Sequence, residues 1–344
     1  MHSPLVYIVL VNYKNWQDTL ECLESIYKLE YPAFKVVVVD NNSGNGSLEK
    51  LQQWASGTLS PALNDQFYTS GLVASCPIAK PICHRLVNSE SIANFPIGDE
   101  SLYLIGSDKN LGFAGGNNLG MQLALAHKAD YVWLLNNDTV VSKDSMPRLV
   151  QHYQKAWQHK QPLGILGAKL LYYHNPNLVQ ALLGRYSPLT ATTRHIGLNL
   201  PASQIPSKLE ITENDYIVGA SMFVSSRFIK EVGLMSEDYF LYYEELDWVK
   251  QAQAKGYTID VCLRARVYHK EGASIGGSQK AKNSKSKLSD YYSIRNRLLI
   301  TRKFYRPYLP SVFLSLIFVL INRVKRGQFS RLPFILRLIF KSIK

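Results

Sequence analysis

The sequence predicts an α/β fold with a mostly parallel, doubly wound sheet, followed by a basic, amphipathic C-terminal helical extension. Short runs rich in Val, Ile and Leu recur along the first 270 residues, and such runs are typical of strands covered on both faces. Stretches with helical periodicity separate them, and this alternation is typical of parallel sheets. The extension is predicted from a change of charge near residue 266.

The length and composition allow one large α/β domain with additions, or two domains. The chain has 344 residues, of which 46% are hydrophobic and 19% charged, so it can form a substantial core and global disorder is excluded. Residues 266–344 contain 18 Lys and Arg against two acids, whereas residues 1–265 contain 21 against 24 acids. The basic last quarter is therefore expected to meet an anionic partner.

The first strand–helix–strand unit occupies residues 5–40. Residues 5–11 (LVYIVLV) predict a buried strand and not a signal peptide, because no basic segment precedes them and no small-residue cleavage site follows. A helical stretch ends before Pro32, and residues 35–40 (KVVVVD) predict the next strand. Residues 56–100 are rich in Ser, Pro, Asn and Gly, and we expect an insertion there.

The alternation resumes at residue 102. We expect helices at 112–128, 143–158 and 244–255, and strands at 102–105, 131–135, 165–173, 194–198, 216–224, 258–262 and 266–268. This assignment gives an α/β domain at 1–270 and a basic C-terminal region at 271–344, whose segment 272–287 is expected to be flexible. The four cysteines have no zinc-ligand spacing, which favours a reducing compartment without a disulfide scaffold.

The tail pattern favours helices that lie on a membrane surface. Residues 309–321 are mostly apolar, but as a helix they span only about 20 Å, less than the ~30 Å hydrocarbon core. Residues 332–340 are a second apolar patch. The surrounding basic residues are Arg323, Lys325, Arg326, Arg331, Lys341 and Lys344. The alternative is a helical cap with a solvated basic face. We expect no nucleic-acid partner, because no motif for one is present.

Four polar clusters follow predicted strands, at residues 12–13 (NY), 40–42 (DNN), 108–110 (DKN) and 136–138 (NND). Ligands of open parallel sheets bind beyond the carboxyl ends of the strands, so these clusters predict a polar, partly anionic site that includes a cation. A single acid at such a position is commonly only a helix cap. The glycines of residues 112–118 either approach a phosphate or form a tight turn for close packing.

Several motifs resemble glycosyltransferase family 2, and more narrowly its bacterial rhamnosyltransferase-like branch. They are 39–43 (VDNNS), 108–118 (DKNLGFAGGNN), 134–139 (LLNNDT), 218–223 (VGASMF), 240–248 (FLYYEELDW), 267–269 (VYH) and 292–297 (YSIRNR). The resemblance runs from residue 5 to about residue 305, except for 56–100. It implies a GT-A fold, a nucleotide-diphosphate sugar donor and inversion at the anomeric carbon.

The resemblance also implies roles for individual residues. Asp40 would bind the nucleobase or ribose, and Tyr13 would pack on the base. The other residues expected on the nucleotide side are Asn12, Asn42, Asp108, Asn110, Gly115, Asn117 and Asn137. Asp138 matches the last position of a D-x-D-like motif and would hold a divalent cation, with His269 completing the metal or diphosphate site. A histidine with a backbone partner is the alternative for His269.

The expected cofactor is Mg²⁺ or Mn²⁺, which can neutralise the charge that develops on a departing diphosphate. Oxygen ligands suit either ion, and a histidine ligand favours Mn²⁺. Asn136 and Asn137 are neutral, which reduces repulsion of the diphosphate and also weakens metal affinity.

Glu245 matches the position of the catalytic base, where the family usually has Asp. Glu244 and Asp247 are the alternatives, because all three acids begin the same predicted helix. A helix N-terminus favours carboxylates in any protein, so ordinary placement of acids in a first turn also fits.

The sequence therefore predicts an inverting glycosyltransferase at the cytoplasmic membrane face. It would transfer a sugar, such as rhamnose from dTDP-rhamnose or a sugar from a UDP donor, to a lipid-linked or polysaccharide acceptor. A non-catalytic nucleotide- or glycan-binding protein on the same fold is the alternative. A nucleotidyltransferase is disfavoured, because no Gly-rich N-terminal loop for a triphosphate is present.

Overall fold

The computed structural model describes residues 3–63, 77–270 and 287–341. The strands in these ranges are β1 Val6–Asn12, β2 Phe34–Asp40, β3 His84–Asn88, β4 Leu102–Gly106, β5 Tyr131–Leu135, β6 Thr139–Val141, β7 Leu163–Tyr172, β8 Val179–Ala181, β9 Leu183–Ser187, β10 Thr192–Ile196, β11 Asp215–Tyr216, β12 Ser221–Ser225 and β13 Thr258–His269. The helices are α1 Trp16–Ile26, α2 Ser47–Ser56, α3 Gly112–Ala126, α4 Ser145–Gln158, α5 Ser226–Val232, α6 Glu244–Ala254, α7 Lys287–Phe304, α8 Leu309–Lys325 and α9 Leu332–Lys341.

The central sheet has the strand order β3-β4-β2-β1-β5-β12-β7-β13-β6, with β8 paired to β7. The first five strands in this order are parallel, and Asn12 at the end of β1 is in register with Asp40 at the end of β2. Strand β12 is antiparallel between β5 and β7. Strands β10, β9 and β11 form a small antiparallel sheet. The carboxyl ends of β1, β2 and β5 therefore meet at one edge.

Alternate residues of the buried strands face two separate cores. In β1, Ile8 packs with α1, α2 and α4 on one face, whereas Val9 packs with α3 and α6 on the other. Residues of α7 and α8, including Ile294 and Leu316, belong to the second core. A boundary at residue 270 therefore does not separate two cores, and α7 is part of the body that holds the sheet.

Three predicted elements differ from the structure. The strand predicted at 216–224 is two short strands, β11 and β12, with a turn at 217–220 between them. The strands predicted at 258–262 and 266–268 are the single strand β13, whose register shifts between Cys262 and Arg266. Within the segment 56–100, where an insertion was expected, β3 pairs with β4 and extends the central sheet. These differences arise because pairing across the sheet overrides local periodicity.

The C-terminal helices contact the body on one side only. Among the described residues, one helical segment, Arg306–Lys325, has the length and the apolar composition needed to cross a membrane. Yet Val312 and Leu316 are buried against the core, and Arg297 donates a hydrogen bond to Ser315. Helix α8 is also longer than the sequence predicted, since it continues to Lys325.

Two of the basic residues predicted to face a membrane instead share one buried carboxylate within the protein. Arg323 and Arg331 each form an ion pair with buried Asp290 of α7, at 2.7 and 2.6 Å. Lys325 and Arg326 are exposed. Of the segment predicted to be flexible, 272–287, residues 272–286 lie outside the described residues, as does Lys344, whereas Lys287 begins α7.

Candidate active site

A hydrogen-bonded network joins the carboxyl ends of β1, β2 and β5. The side-chain amide of Asn12 donates to Asp40 Oδ1 at 2.6 Å and to Ser43 Oγ at 3.1 Å. The amide of Asn137 donates to Thr19 Oγ1 at 2.9 Å, and Thr19 donates to Asn12 Oδ1. All five side chains are buried. Three separate polar clusters of the sequence thus form one structural unit, in which Asn12 and Asn137 brace the position of Asp40.

A second network holds the loop that follows β4. The amide nitrogen of Asn41 donates to Asn110 Oδ1 and to the carbonyl of Gly112, while its oxygen accepts from the N–H of Leu111. The amide of Asn42, whose φ is +58°, donates to the carbonyl of Asp108. Asp108 itself is exposed. Asn110 therefore braces the loop, and Asp108 is the member of its cluster that is open to a ligand.

The glycines at the start of α3 serve close packing. Gly112 has a φ of +69°, and a Cβ there would lie 2.2 Å from the carbonyl oxygen of Phe240. A Cβ on Gly115 would lie 2.6 Å from Leu111 Cβ. The amide of Asn117 donates to the carbonyl of Phe113.

Two of the N–H groups at this helix start already have hydrogen-bond partners. The N–H of Phe113 donates to Phe240 O at 2.9 Å, and the N–H of Gly112 donates to Asn110 Oδ1. Of the two alternatives for this segment, the contacts favour the tight turn with close packing over a phosphate cradle. The structure places Gly115 and Asn117 in this packing.

Asp138 and His269 form a buried pair at the ends of β5 and β13. Nε2 of His269 lies 3.1 Å from Asp138 Oδ1, and Nδ1 lies 2.7 Å from Gln180 Oε1. Asn136 Nδ2 lies 3.3 Å from the same Nε2. Burial alone would raise the pKa of Asp138, but the charge and hydrogen bond of His269, together with the charge of Lys270, hold that pKa below its usual value. The backbone-partner alternative for His269 does not match this geometry.

The Asp138–His269 pair is chemically suited to a divalent cation. Among the described residues no group of three or more His, Cys, Asp or Glu side chains could hold a metal, so the protein offers one carboxylate and one imidazole. Such a small set is typical where substrate phosphates and water supply the remaining ligands. Because Gln180 accepts from Nδ1–H, it directs Nε2 towards Asp138, as partners of metal-binding histidines do.

Glu244 and Glu245 begin α6 after a strained turn. Phe240, Tyr242 and Tyr243 have φ of +64°, +71° and +76°, a region that bulky residues rarely adopt. Oε2 of Glu244 and Oε2 of Glu245 are both buried, and each lacks a hydrogen-bond partner among the described residues. Such strain and such unpaired oxygens are typical of functional sites.

The two glutamates differ in their surroundings. Burial and the neighbouring charge of Glu245 raise the pKa of Glu244 well above its usual value. Burial also raises the pKa of Glu245, although its own N–H and that of Gly219 oppose the shift. Glu245 is the more exposed of the two residues. Both carboxyls therefore have a raised pKa, and Glu245, the more exposed of the two, is the one that a ligand can reach.

Asp247 is committed to structural contacts. Its carboxylate accepts from the Tyr239 hydroxyl at 2.6 Å, from the Gln251 amide, and from Lys303 at 2.6 Å. Its side chain is fully buried. Of the three acids that the sequence left open as the base, Asp247 is thus the one without a free lone pair aimed at a ligand.

The turn at 217–220 connects the two halves of the site. The N–H of Asn136 donates to the carbonyl of Ala220, and the carboxylate of Glu245 lies against Gly219, where a Cβ would come within 3.6 Å of Oε1. The turn therefore contacts both Glu245 and Asn136, and Asn136 is two residues before Asp138. Chemically, the arrangement combines a cation-binding pair with a carboxylate that has a raised pKa.

Two buried residues with evident roles at this site were not singled out from the sequence. Gln180 lies in β8 and Asn296 lies in α7, both far along the chain from their partners at the site. Asn296 belongs to the motif at 292–297, which resembles the family but to which no role was assigned. No sequence motif pointed to Gln180.

Comparisons of the sequence with known proteins show which family and which relatives the chain resembles. Residues 7–65 match the family described as glycosyl transferase family 2. A low-salt glycan biosynthesis hexosyltransferase of Haloferax volcanii is 22% identical over 92% of this chain and 81% of its own length. A dTDP-rhamnosyl transferase of Shigella flexneri is 21% identical over 64% of this chain and 71% of its own.

The resemblance to glycosyltransferase family 2 that the motifs predicted is confirmed. A mannosyltransferase from Pyrobaculum calidifontis, solved in complex with GDP-mannose and Mn²⁺, has the same overall fold. Its TM-score is 0.51 at 12% identity, and the match covers 100% of this chain and 88% of that one. The predicted GT-A fold, with its mostly parallel sheet and helical C-terminus, is thereby confirmed.

Proposed function

We propose that this protein is an inverting glycosyltransferase of family 2 that moves a sugar from a nucleotide-diphosphate donor to an acceptor hydroxyl. The observation that carries the proposal is the placement of Glu245 across the 217–220 turn from the Asp138–His269 pair. An inverting transfer needs a cation site at the departing diphosphate and a base on the opposite face of the sugar. We propose that the Asp138–His269 pair and Glu245 supply these two groups.

Glu245 is the proposed base. As the acceptor oxygen bonds to the anomeric carbon, the bond from that carbon to the diphosphate oxygen breaks, and the acceptor proton passes to the Glu245 carboxylate. A base works best when its pKa lies near the working pH, and burial moves the pKa of Glu245 in that direction. Its Oε2, which has no hydrogen-bond partner in the part of the chain that the structure describes, is the proposed acceptor of that proton. Protonated Glu244 stays neutral beside it.

Asp138 and His269 are the proposed ligands of Mg²⁺ or Mn²⁺. When bound, the cation would neutralise the negative charge that accumulates on the diphosphate as it leaves. On the nucleotide side, Asp40 would accept hydrogen bonds from the base or ribose, with Tyr13 packing on the base. Asn12 and Asn137 hold Asp40 in place, and Asn42, Asn110, Gly115 and Asn117 shape the adjoining loop around Asp108.

The proposed donor is dTDP-rhamnose. UDP-sugars are the alternative that the experiment below compares with it. Support comes from the motifs shared with the rhamnosyltransferase-like branch and from the 21% identity to a dTDP-rhamnosyl transferase. The proposed acceptor is a lipid-linked or polysaccharide glycan at the cytoplasmic face of the membrane.

An exposed apolar surface on α8 supports the membrane part of the proposal. The side chains of Leu314, Ile317, Phe318, Ile321 and Val324 are exposed, and Lys325 and Arg326 follow them. The opposite side of the helix is held to the body by Val312 and Leu316. An apolar face bordered by basic residues fits an anionic lipid surface, and the packed side favours a helix lying on the membrane over one crossing it.

The direct test is donor turnover. Purified protein is incubated with dTDP-rhamnose, UDP-sugars and GDP-sugars in the presence of Mn²⁺ or Mg²⁺, and release of nucleoside diphosphate is followed without an acceptor. We expect slow, metal-dependent release from one donor that disappears in Asp138→Ala. Donor binding without any release, with or without membrane acceptor, would instead identify a non-catalytic nucleotide- or glycan-binding protein.

A further inference from the structure

We propose that Asn296 is a positioning residue for the transfer reaction, because it holds the strained turn from which Glu244 and Glu245 project. This inference rests on the proposed role of Glu245 as base. The side-chain nitrogen of Asn296 donates to the carbonyls of Tyr239, Leu241 and Tyr242, at 2.8, 2.8 and 3.1 Å. Asn296 is fully buried in α7, so no water competes for these contacts.

The turn needs such a holder. Phe240, Tyr242 and Tyr243 all have left-handed backbone conformations, which are strained in residues other than glycine. Conformations of this kind persist only where surrounding contacts fix them. The side-chain nitrogen of Asn296 binds the carbonyls on both sides of Phe240 and that of Tyr242, so it directly opposes relaxation of the turn.

Neighbours on α7 fix the orientation of Asn296 and grip the same turn. The guanidinium of Arg295 donates to Asn296 Oδ1 at 2.9 Å and to the carbonyl of Asp238 at 2.6 Å, so the amide nitrogen faces the turn. The ring of Tyr292 stacks on Phe240 at a centroid distance of 4.7 Å. On the opposite side, the carbonyl of Phe240 accepts from Phe113 at the start of α3.

These contacts give α7 a role in the reaction. The turn is clamped between α3, which borders the nucleotide loop, and α7, which belongs to the basic C-terminal part of the chain. The side chains of Glu244 and Glu245 follow the turn directly, so a change in its backbone moves both carboxylates. A displacement of about 1 Å of a catalytic group can cost about 100-fold in rate.

Asn296→Asp is the sharpest test, because it keeps the shape of the side chain and replaces the donating nitrogen with an oxygen that repels the three carbonyls. Thr301→Val is the matched control: Thr301 is also fully buried in α7, but it bonds to Arg297 and Tyr186 and not to the turn. We expect kcat to fall about 100-fold in Asn296→Asp with little change in donor KM. The acid limb of the pH–rate profile should also move towards the ordinary glutamate pKa. Thr301→Val should lose thermal stability only.

A double-mutant cycle separates positioning from general destabilisation. Glycine adopts positive φ without strain, so the Tyr242→Gly background needs less support from Asn296. We expect Asn296→Asp to lower kcat less in this background than in the wild type. Equal losses in both backgrounds, or a loss of stability in Asn296→Asp with unchanged kcat and pH profile, would overturn the role of Asn296.

Hydrogen exchange keeps this test independent of turnover. Amides of residues 239–246 should exchange faster in Asn296→Asp than in Thr301→Val. If the wild type turns over no donor, the proposed function fails while exchange still reports on the turn. If the wild type is active and exchange in the turn is unchanged, the positioning role alone fails.

Discussion

Nε2 of His269 lies 3.1 Å from Oδ1 of Asp138, although the two residues come from distant parts of the chain. Strands β6 and β13 bring them together, since Thr139 is in register with His269. The pair lies at the edge of the sheet where Asn12, Asp40 and Asn137 form their network. This contact makes the proposed cation site testable by substitution of single side chains.

Loss of His269, or of Gln180, which orients its imidazole, should weaken metal-dependent nucleotide binding. We expect His269→Ala to abolish the increase in nucleoside diphosphate affinity that Mn²⁺ produces. Gln180→Leu should lower the Mn²⁺ affinity by about 10- to 100-fold, because the imidazole loses its orienting partner. Isothermal titration calorimetry with and without Mn²⁺ measures both effects.

The control for this prediction is His152→Ala. His152 is paired with Asp260 at 2.8 Å, so it matches the chemistry of the His269–Asp138 pair, but it lies between α4 and β13. It should bind Mn²⁺ and nucleotide as the wild type does. Wild-type binding by His269→Ala would contradict the proposed cation site.

Glu244 and Glu245 should respond differently to the same substitution. Glu245→Gln removes the proposed proton acceptor, and we expect kcat to fall by about 100- to 10,000-fold. Glu244→Gln should retain most of the activity, because Glu244 is the more buried of the two, and burial and the charge of Glu245 raise its pKa well above the usual value. Single-turnover sugar transfer under saturating donor measures both. The reverse order of effects would assign the base to Glu244.

The pH dependence of stability should reveal the buried carboxyl of Glu244. Its folded-state pKa is raised, so the folded protein holds this proton more tightly than the unfolded chain does. The resulting stabilisation is present below the unfolded pKa and is lost as the pH rises through the folded pKa. Glu244→Gln should therefore raise the melting temperature relative to the wild type more at about pH 8 than at about pH 5. A difference that is independent of pH would contradict the raised pKa.

Asp247 should matter for stability more than for catalysis. We expect Asp247→Asn to lower the free energy of unfolding by about 2 kcal/mol, because a charged acceptor for three donors is lost and Lys303 is partly exposed. Lys303→Met should show coupling with it in a double-mutant cycle measured by denaturant unfolding. A stable but inactive Asp247→Asn protein would instead make Asp247 the base.

The apolar face of α8 should bind anionic membranes. We expect the double variant Leu314→Ser/Phe318→Ser to lose sedimentation with phosphatidylglycerol-containing vesicles. The control, Leu189→Ser/Leu198→Ser, removes equally exposed apolar side chains outside this face and should sediment as the wild type does. Binding to phosphatidylcholine vesicles should be weak, because Lys325 and Arg326 add electrostatic attraction only on anionic lipid. Full sedimentation of the α8 variant would contradict the membrane role.

The sequence predicted the strands around the site because each combines an apolar run with a polar end. The parallel order of β1, β2 and β5 then brings Asn12, Asp40 and Asn137 to one edge. The choice among Glu244, Glu245 and Asp247 could not be made from spacing, since all three begin one helix. It depends on Lys303 and Tyr239, which engage Asp247 through tertiary contacts.

The break between β11 and β12 also could not be predicted from the local pattern of apolar residues. Residues 216–224 are apolar enough to continue as one strand, yet they turn at Gly219, whose N–H faces Glu245. The pairing of Arg323 and Arg331 with Asp290 was hidden for a similar reason. Counting charges along the sequence does not show which basic residues form ion pairs inside the protein.

A crystal structure with Mn²⁺ and a nucleoside diphosphate tests the central claim most directly. We expect an anomalous manganese peak between Asp138 and His269, the diphosphate on that ion, and the base beside Asp40. The carboxylate of Glu245 should face the position of the transferred sugar. A cavity of about 290 Å³ lies elsewhere, between α4 and β13, and is lined by Arg148, His152 and Arg264 among others. Nucleotide bound there, with no metal at Asp138, would contradict the proposed site.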